Sequence, residues 1–118
     1  MKGSGRSANI SVGKVFAGRV LVVSALLAPS VVLAEQAVVV FEDASCDYFI
    51  ADGPRGFYLL EWYGGHVPTE GDVIEGDIGS YGFKNVRYPR RSREGRVYVE
   101  DYLLSEDGVI KAWRDHCQ

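Results

Sequence analysis

Residues 52–65 read Asp52-Gly53-Pro54-Arg55-Gly56-Phe57-Tyr58-Leu59-Leu60-Glu61-Trp62-Tyr63-Gly64-Gly65. The first five are turn formers, because glycine reaches positive φ and proline presets it. Phe57 to Tyr63 is aromatic and aliphatic but for Glu61, a composition that suits a pleated strand. Alternation puts Tyr58, Leu60 and Trp62 on one face and Phe57, Leu59, Glu61 and Tyr63 on the other. Both faces carry large apolar groups, so this strand is expected to be central. Gly64-Gly65 ends it.

Working outward, Ala37-Val38-Val39-Val40-Phe41 and Asp47-Tyr48-Phe49-Ile50-Ala51 read as two strands upstream. Downstream, a loop holds His66 and closes on Pro68-Thr69-Glu70-Gly71-Asp72. Val73 to Ile78 reads as a strand interrupted by Gly76, and Tyr81 to Tyr88 as another that contains Gly82. Glycines inside strands mark bulges or bends where a sheet curls. Pro89 to Gly95 is a polar, basic turn, and Arg96 to Leu103 a further strand. Then the period changes. Ser105 can cap a helix, Glu106 and Asp107 suit its first turn, and Val109, Ile110, Trp113 and Cys117 recur at helical spacing. Trp113 is expected to anchor this short helix on the sheet rather than to touch a ligand. The fold class is mainly β: a small curled barrel of five or six strands, OB-like or SH3-like, with one C-terminal α-helix.

Residues 1–34 hold Lys2, Arg6, Lys14 and Arg19 and no acidic residue. Val20 to Ala28 is an apolar run, Pro29-Ser30 breaks it, and Val32-Leu33-Ala34 precedes Glu35. That order is expected of a secretory signal cleaved after Ala34. The run is too short and too broken for a spanning helix, which needs about 20 apolar residues. No Arg-Arg pair stands in the basic stretch, so the general secretory route is expected. The rest is one domain, residues 35–118, with nine basic against sixteen acidic residues and a net charge of −7. With 47% apolar and 25% charged residues, the chain is neither collagen-like, mostly disordered nor a multi-span membrane protein. The expected destination is the periplasm or the exterior, with no membrane span after processing.

A domain this small buries little core, and small exported domains compensate with disulfides. Cys46 and Cys117 allow one intramolecular bridge. Free thiols, a bridge between chains, or a metal pair with His116 are the competing readings. Two adjacent ligands do not complete a zinc site, and no CxxC is present.

Gly71-Asp72-Val73-Ile74-Glu75-Gly76-Asp77-Ile78, followed by Tyr81-Gly82-Phe83, resembles the G-D-x-(V/I)-x-G-x-(I/L) hairpin of OB-fold and SH3-like barrels. The chain is also similar to small exported bacterial proteins of unassigned function that carry C-D-Y-F-I-A-D-G, L-L-E-W-Y-G-G and Y-G-F-K. That resemblance implies a barrel and brings no catalytic or binding residue. Tyr81-Gly82-Phe83 resembles part of the aromatic strand motif of RNA-binding sheets. Ile78-Gly79-Ser80 stands where a basic residue and a glycine are required, so nucleic acid is not an expected partner.

Three constellations bear on chemistry. Arg87, Arg90, Arg91, Arg93 and Arg96 place five of the domain's nine basic residues within ten positions. Guanidinium groups grip phosphate, sulfate and carboxylate bidentately. With Tyr81 and Phe83 they form the candidate ligand site, for an anionic ligand or an acidic protein partner; a solvated hairpin tip is the alternative. Charges on such a turn are expected to add little to stability. Second, the tyrosines cannot all point into one small barrel. Tyr98, Glu100 and Tyr102 are expected on one face, opposite Val97, Val99 and Asp101, so some aromatic rings line a surface. Third, Asp72, Glu75 and Asp77 lie near His66 and Glu70, read as a surface Asp-Gly turn. No EF-hand, HExxH, GxSxG or phosphate-binding Gly-Lys motif is present. The expectation is a non-catalytic binding module without cofactor or metal. The alternatives are a structural or accessory subunit of an envelope complex using its aromatic surface and, third, a small hydrolase or cation-dependent enzyme.

Overall fold

A computed structural model describes residues 34–118. The expected signal segment lies, but for Ala34, outside the described residues. Six strands and a helix follow in order: β1 (Glu35–Asp43), β2 (Cys46–Gly53), β3 (Gly56–Gly65), β4 (Val73–Gly76), β5 (Gly82–Tyr88), β6 (Arg93–Leu104) and α1 (Glu106–Cys117). A single 3-10 turn, Pro89–Arg91, joins β5 to β6. All pairings are antiparallel, and the strands close in the order β1-β2-β3-β6-β5-β4 back to β1. The barrel is thus two three-stranded meanders, β1-β2-β3 and β4-β5-β6, sealed along two long-range seams.

Each seam follows from local chemistry. Along β1–β4, Val38 pairs with Val73 and Glu35 with Gly76. On its other edge Gly76 lies close against β5, where a Cβ would stand 2.9 Å from the Val86 side chain. Along β3–β6, Trp62 pairs with Val97 and Gly65 with Gly95. Gly65 has φ +75° and lets β3 pass so close that a Cβ would lie 2.5 Å from the Glu94 carbonyl oxygen.

Strand β4 is shorter than the expected Val73–Ile78. The ladder ends at Gly76, yet Ile78 is fully buried and fills the barrel from the loop that follows. Strand β6 starts earlier than expected, at Arg93, because the 3-10 turn is tight and Ser92 takes a left-handed conformation with φ 51°. Tyr88 then faces Arg93 across the hairpin.

Alternation in β3 divides the core in two. Tyr58 and Leu60 point inward and pack with Val39, Phe49, Ile74, Ile78, Val86, Tyr88, Val97 and Val99, with Trp62 beside them. Leu59 points outward and meets Ile50, Val109 and Trp113 beneath the helix, with Phe57 at the margin. The alternation expected for β6 fails beyond Val99. Leu60 pairs with Val99 and Phe57 with Leu104, so β6 carries two extra residues against β3. These bulges, with Leu103 at φ 56°, turn Tyr102 toward the barrel core instead of leaving it on the face of Tyr98.

The helix is capped as its sequence suggests, with Ser105 Oγ accepting from the Gly108 amide at 3.0 Å. Trp113 anchors it: the indole is buried and its Nε1 donates to the Tyr48 carbonyl at 2.9 Å. The Cys46–Cys117 disulfide ties the start of β2 to the last residue of α1, with Cα atoms 5.8 Å apart. It decides among the four readings of the cysteines.

Candidate functional site

The outward residues of β3, β6 and β5 build an aromatic row. Phe83 on β5 pairs in register with Tyr98 on β6, which faces Glu61 on β3. The Phe83 ring meets Tyr98 edge-to-face at 4.9 Å and Tyr63 at 4.8 Å. One step along, the Arg96 guanidinium lies 5.0 Å from the Phe83 centroid, within cation–π range. Much of this row faces solvent, with Tyr63 at 51% and Phe83 at 49% exposure. Tyr81, at 61%, stacks edge-on against Tyr102 at 4.8 Å. The charge of Asp101 raises the Tyr81 phenol above its ordinary value, so it remains a donor at any physiological pH.

The five arginines do not act as one cluster. Arg96 joins the aromatic row. Arg87 pairs with Glu75, whose carboxyl is held down first by Gln36 and then by Arg87. Arg90 and Arg93 are exposed at the hairpin tip and make no ion pair among the described residues. Arg91 turns back onto the body of the domain, its Nε 2.7 Å from Asp72 Oδ1.

Asp72 is no surface turn. It is 5% exposed and lies where β4 begins, below the loop that carries His66. Its Oδ2 accepts from the Thr69 amide at 3.0 Å and the Thr69 hydroxyl at 3.2 Å, and bonds His66 Nε2 at 2.8 Å. Burial disfavours the charge, but these donors and Arg91 outweigh it and hold the carboxyl down to about 2. Its backbone continues the tie, since Asp72 O accepts from the Val39 amide and Gly71 N donates to Val39 O. The ring of His66 packs on that of Tyr88 at 4.6 Å. Burial, then the Asp72 charge, raises the Tyr88 phenol far above its ordinary value. Asp72 is thus a latch that joins the 66–72 loop, the 3-10 turn and β1; the buried Tyr88 hydroxyl beside it has no hydrogen-bond partner among the described residues.

The other acids do not converge on it. Glu75 serves Gln36 and Arg87, Asp77 pairs with Lys84 at 3.2 Å, and Glu70 is exposed. Among the described residues no three His, Cys, Asp or Glu side chains gather as a metal site. His116 stands apart, stacked on Tyr48 at 4.4 Å and 3.5 Å from Glu100.

A concavity lies elsewhere, a groove of about 490 Å³ between α1 and the outer faces of β1 to β3. Val40, Phe41, Ile50, Phe57, Ile110 and Trp113 form its apolar lining. Nothing in the sequence marked it, because its two walls lie some 60 residues apart in the chain and meet only when the helix docks.

The closed six-stranded antiparallel barrel with its C-terminal helix is consistent with an OB-like or SH3-like barrel. No protein-family model, curated protein or solved structure matches the chain.

Proposed function

We propose that the protein is an exported, non-catalytic binding module that engages an acidic partner through the outer face of β3, β6 and β5. The observation that carries this reading is Arg96 stacked over an exposed Phe83 flanked by Tyr63 and Tyr98. Tyrosine and arginine dominate the energetics of protein interfaces. A guanidinium held over a ring by cation–π attraction makes no ion pair with it and retains N–H donors for a carboxylate or phosphate. Arg90 and Arg93 extend the positive field at the adjacent tip of an otherwise acidic domain. Arg87 and Arg91 contribute less, being neutralised by Glu75 and Asp72.

Export is supported by the disulfide, which persists in oxidising compartments. Among the described residues no helix is long and apolar enough to cross a membrane. N-terminal sequencing of the exported protein should read Glu35.

The test uses residues 35–118, which contain the closed barrel, both cores and the disulfide. Immobilised protein is exposed to envelope extract beside a Tyr63→Ser, Phe83→Ser, Arg96→Ser variant of equal thermal stability. The wild type should retain a protein that the variant loses, and retention should fall steeply as salt rises. Equal capture by both would remove this face from the site. Loss in the variant with no salt dependence favours the aromatic docking of an accessory subunit.

A further inference from the structure

The groove beside α1 has charges only at its ends, and they are opposite. Glu106 borders it where the helix starts, Arg114 and Gln118 where it finishes. The two charged residues lie eight positions apart on one helix face, about 12 Å along the axis. Neither forms an ion pair among the described residues, and nor does Asp107, which is not part of the groove lining, whereas Lys111 and Asp115 pair with each other at 3.0 Å. Between the ends lies apolar surface: half-buried Ile110, the exposed edge of Phe41, and Val40 at 42% exposure. Val38 continues the apolar strip along β1.

A surface with an apolar middle, an acid at one end and a base at the other complements itself when rotated by 180°. Two copies related by a two-fold axis across the middle of α1 lie antiparallel there. Glu106 of each then meets Arg114 of its partner, so one geometry satisfies four charges at once. That is the signature of an isologous interface, in which residue i contacts j and j contacts i. A partner with uniform charge would be attracted at one end and repelled at the other. Strand addition offers no competing route, because the barrel is closed and has no free edge.

We infer that a second copy of this chain occupies the groove, forming a two-fold dimer in which α1 packs antiparallel on α1 and Glu106 pairs with Arg114 across the axis. The surface is independent of the aromatic face, which lies on β3, β6 and β5 and stays open in the dimer. A dimer therefore presents two aromatic faces.

Sedimentation equilibrium on residues 35–118 tests this, with Glu106→Arg, Arg114→Glu and the double exchange. Wild type should be a dimer that dissociates on dilution. Each single exchange sets like charges opposite each other twice and should weaken association by about tenfold or more. The double exchange restores opposite charges and should return association to within a few-fold of wild type. Exchanging Lys111 and Asp115, which lie off the groove lining, should change nothing. Val40→Ser, at an exposed position that folding does not need, should weaken the dimer with no change of charge. A monomer at all accessible concentrations would overturn the inference. So would a dimer indifferent to the single exchanges, or one that the double exchange fails to restore. A monomer that instead retains an apolar amphiphile or another protein in this groove would count against self-association in the same way.

Discussion

Arg91 Nε lies 2.7 Å from Asp72 Oδ1, and its Nη2 donates to the Thr69 hydroxyl at 3.0 Å, so the hairpin tip is fastened to the loop that opens β4. Of the three arginines around that tip, one is a strut and two make no ion pair among the described residues. Replacing Arg91 with Ala leaves a buried carboxylate short of a donor and should cost about 1–3 kcal/mol. Replacing Arg90 or Arg93 should change stability by no more than about 0.5 kcal/mol. Urea unfolding of the three single variants checks the contrast. Equal effects would contradict the strut.

Asp72 should also leave a mark on stability against pH. Its carboxyl is held at about 2 when folded and returns to an ordinary value near 3.8 when unfolded. A depressed folded value contributes stability that is complete above the unfolded value and disappears as pH falls through the folded one. The advantage of wild type over Asp72→Asn should therefore be full above pH 5 and shrink by about 2 kcal/mol on the way to pH 2. A gap independent of pH would show that the hydrogen bonds survive protonation.

The disulfide closes a loop with a sequence separation of 71. A double Cys46→Ser, Cys117→Ser variant should be less stable by about 2–5 kcal/mol, provided the unfolded chain is otherwise unconstrained. A non-reducing peptide map should recover the two cysteines in one linked fragment. Alkylation of both thiols without reductant would contradict the bridge.

Trp113 belongs to the core beneath the helix and not to the twelve-residue core that fills the barrel. Trp113→Ala should cost about 3–5 kcal/mol. Hydrogen exchange should show the loss first in α1, with the β5 and β6 amides protected longest. Uniform loss of protection would mean that helix and barrel unfold as one unit.

Much of this arrangement was legible in the chain. The alternation from Phe57 to Tyr63 separates the two cores by residue, and the change of period at Ser105 marks the helix and its cap. Both are local signals. Contacts between distant elements were not legible. Tyr102 turns inward because β6 holds two residues more than β3 needs, a mismatch that appears only once the strands pair. Asp72 read as a surface turn because its partners are a loop histidine six residues back and an arginine nineteen residues on. The cluster of five arginines was plain in the sequence. Its division among Glu75, Asp72, Phe83 and solvent depends on which way each strand residue faces after the hairpin forms.

The two seams of the barrel also set an order of events. Synthesis delivers β1, β2 and β3 first, and these can pair as a meander at once. Its outer strands, β1 and β3, then wait for β4 and β6, which arrive on the far side of the 66–72 loop. Cys46 waits longer still, since Cys117 emerges 71 residues after it. Until β4 and β6 pair with them those two strand edges have no neighbour, and until Cys117 is reached Cys46 has no partner within the chain. The closed ring of strands with the helix docked across it is what holds the two Cα atoms 5.8 Å apart, so the folded domain itself brings the two ends of this long loop to bonding distance.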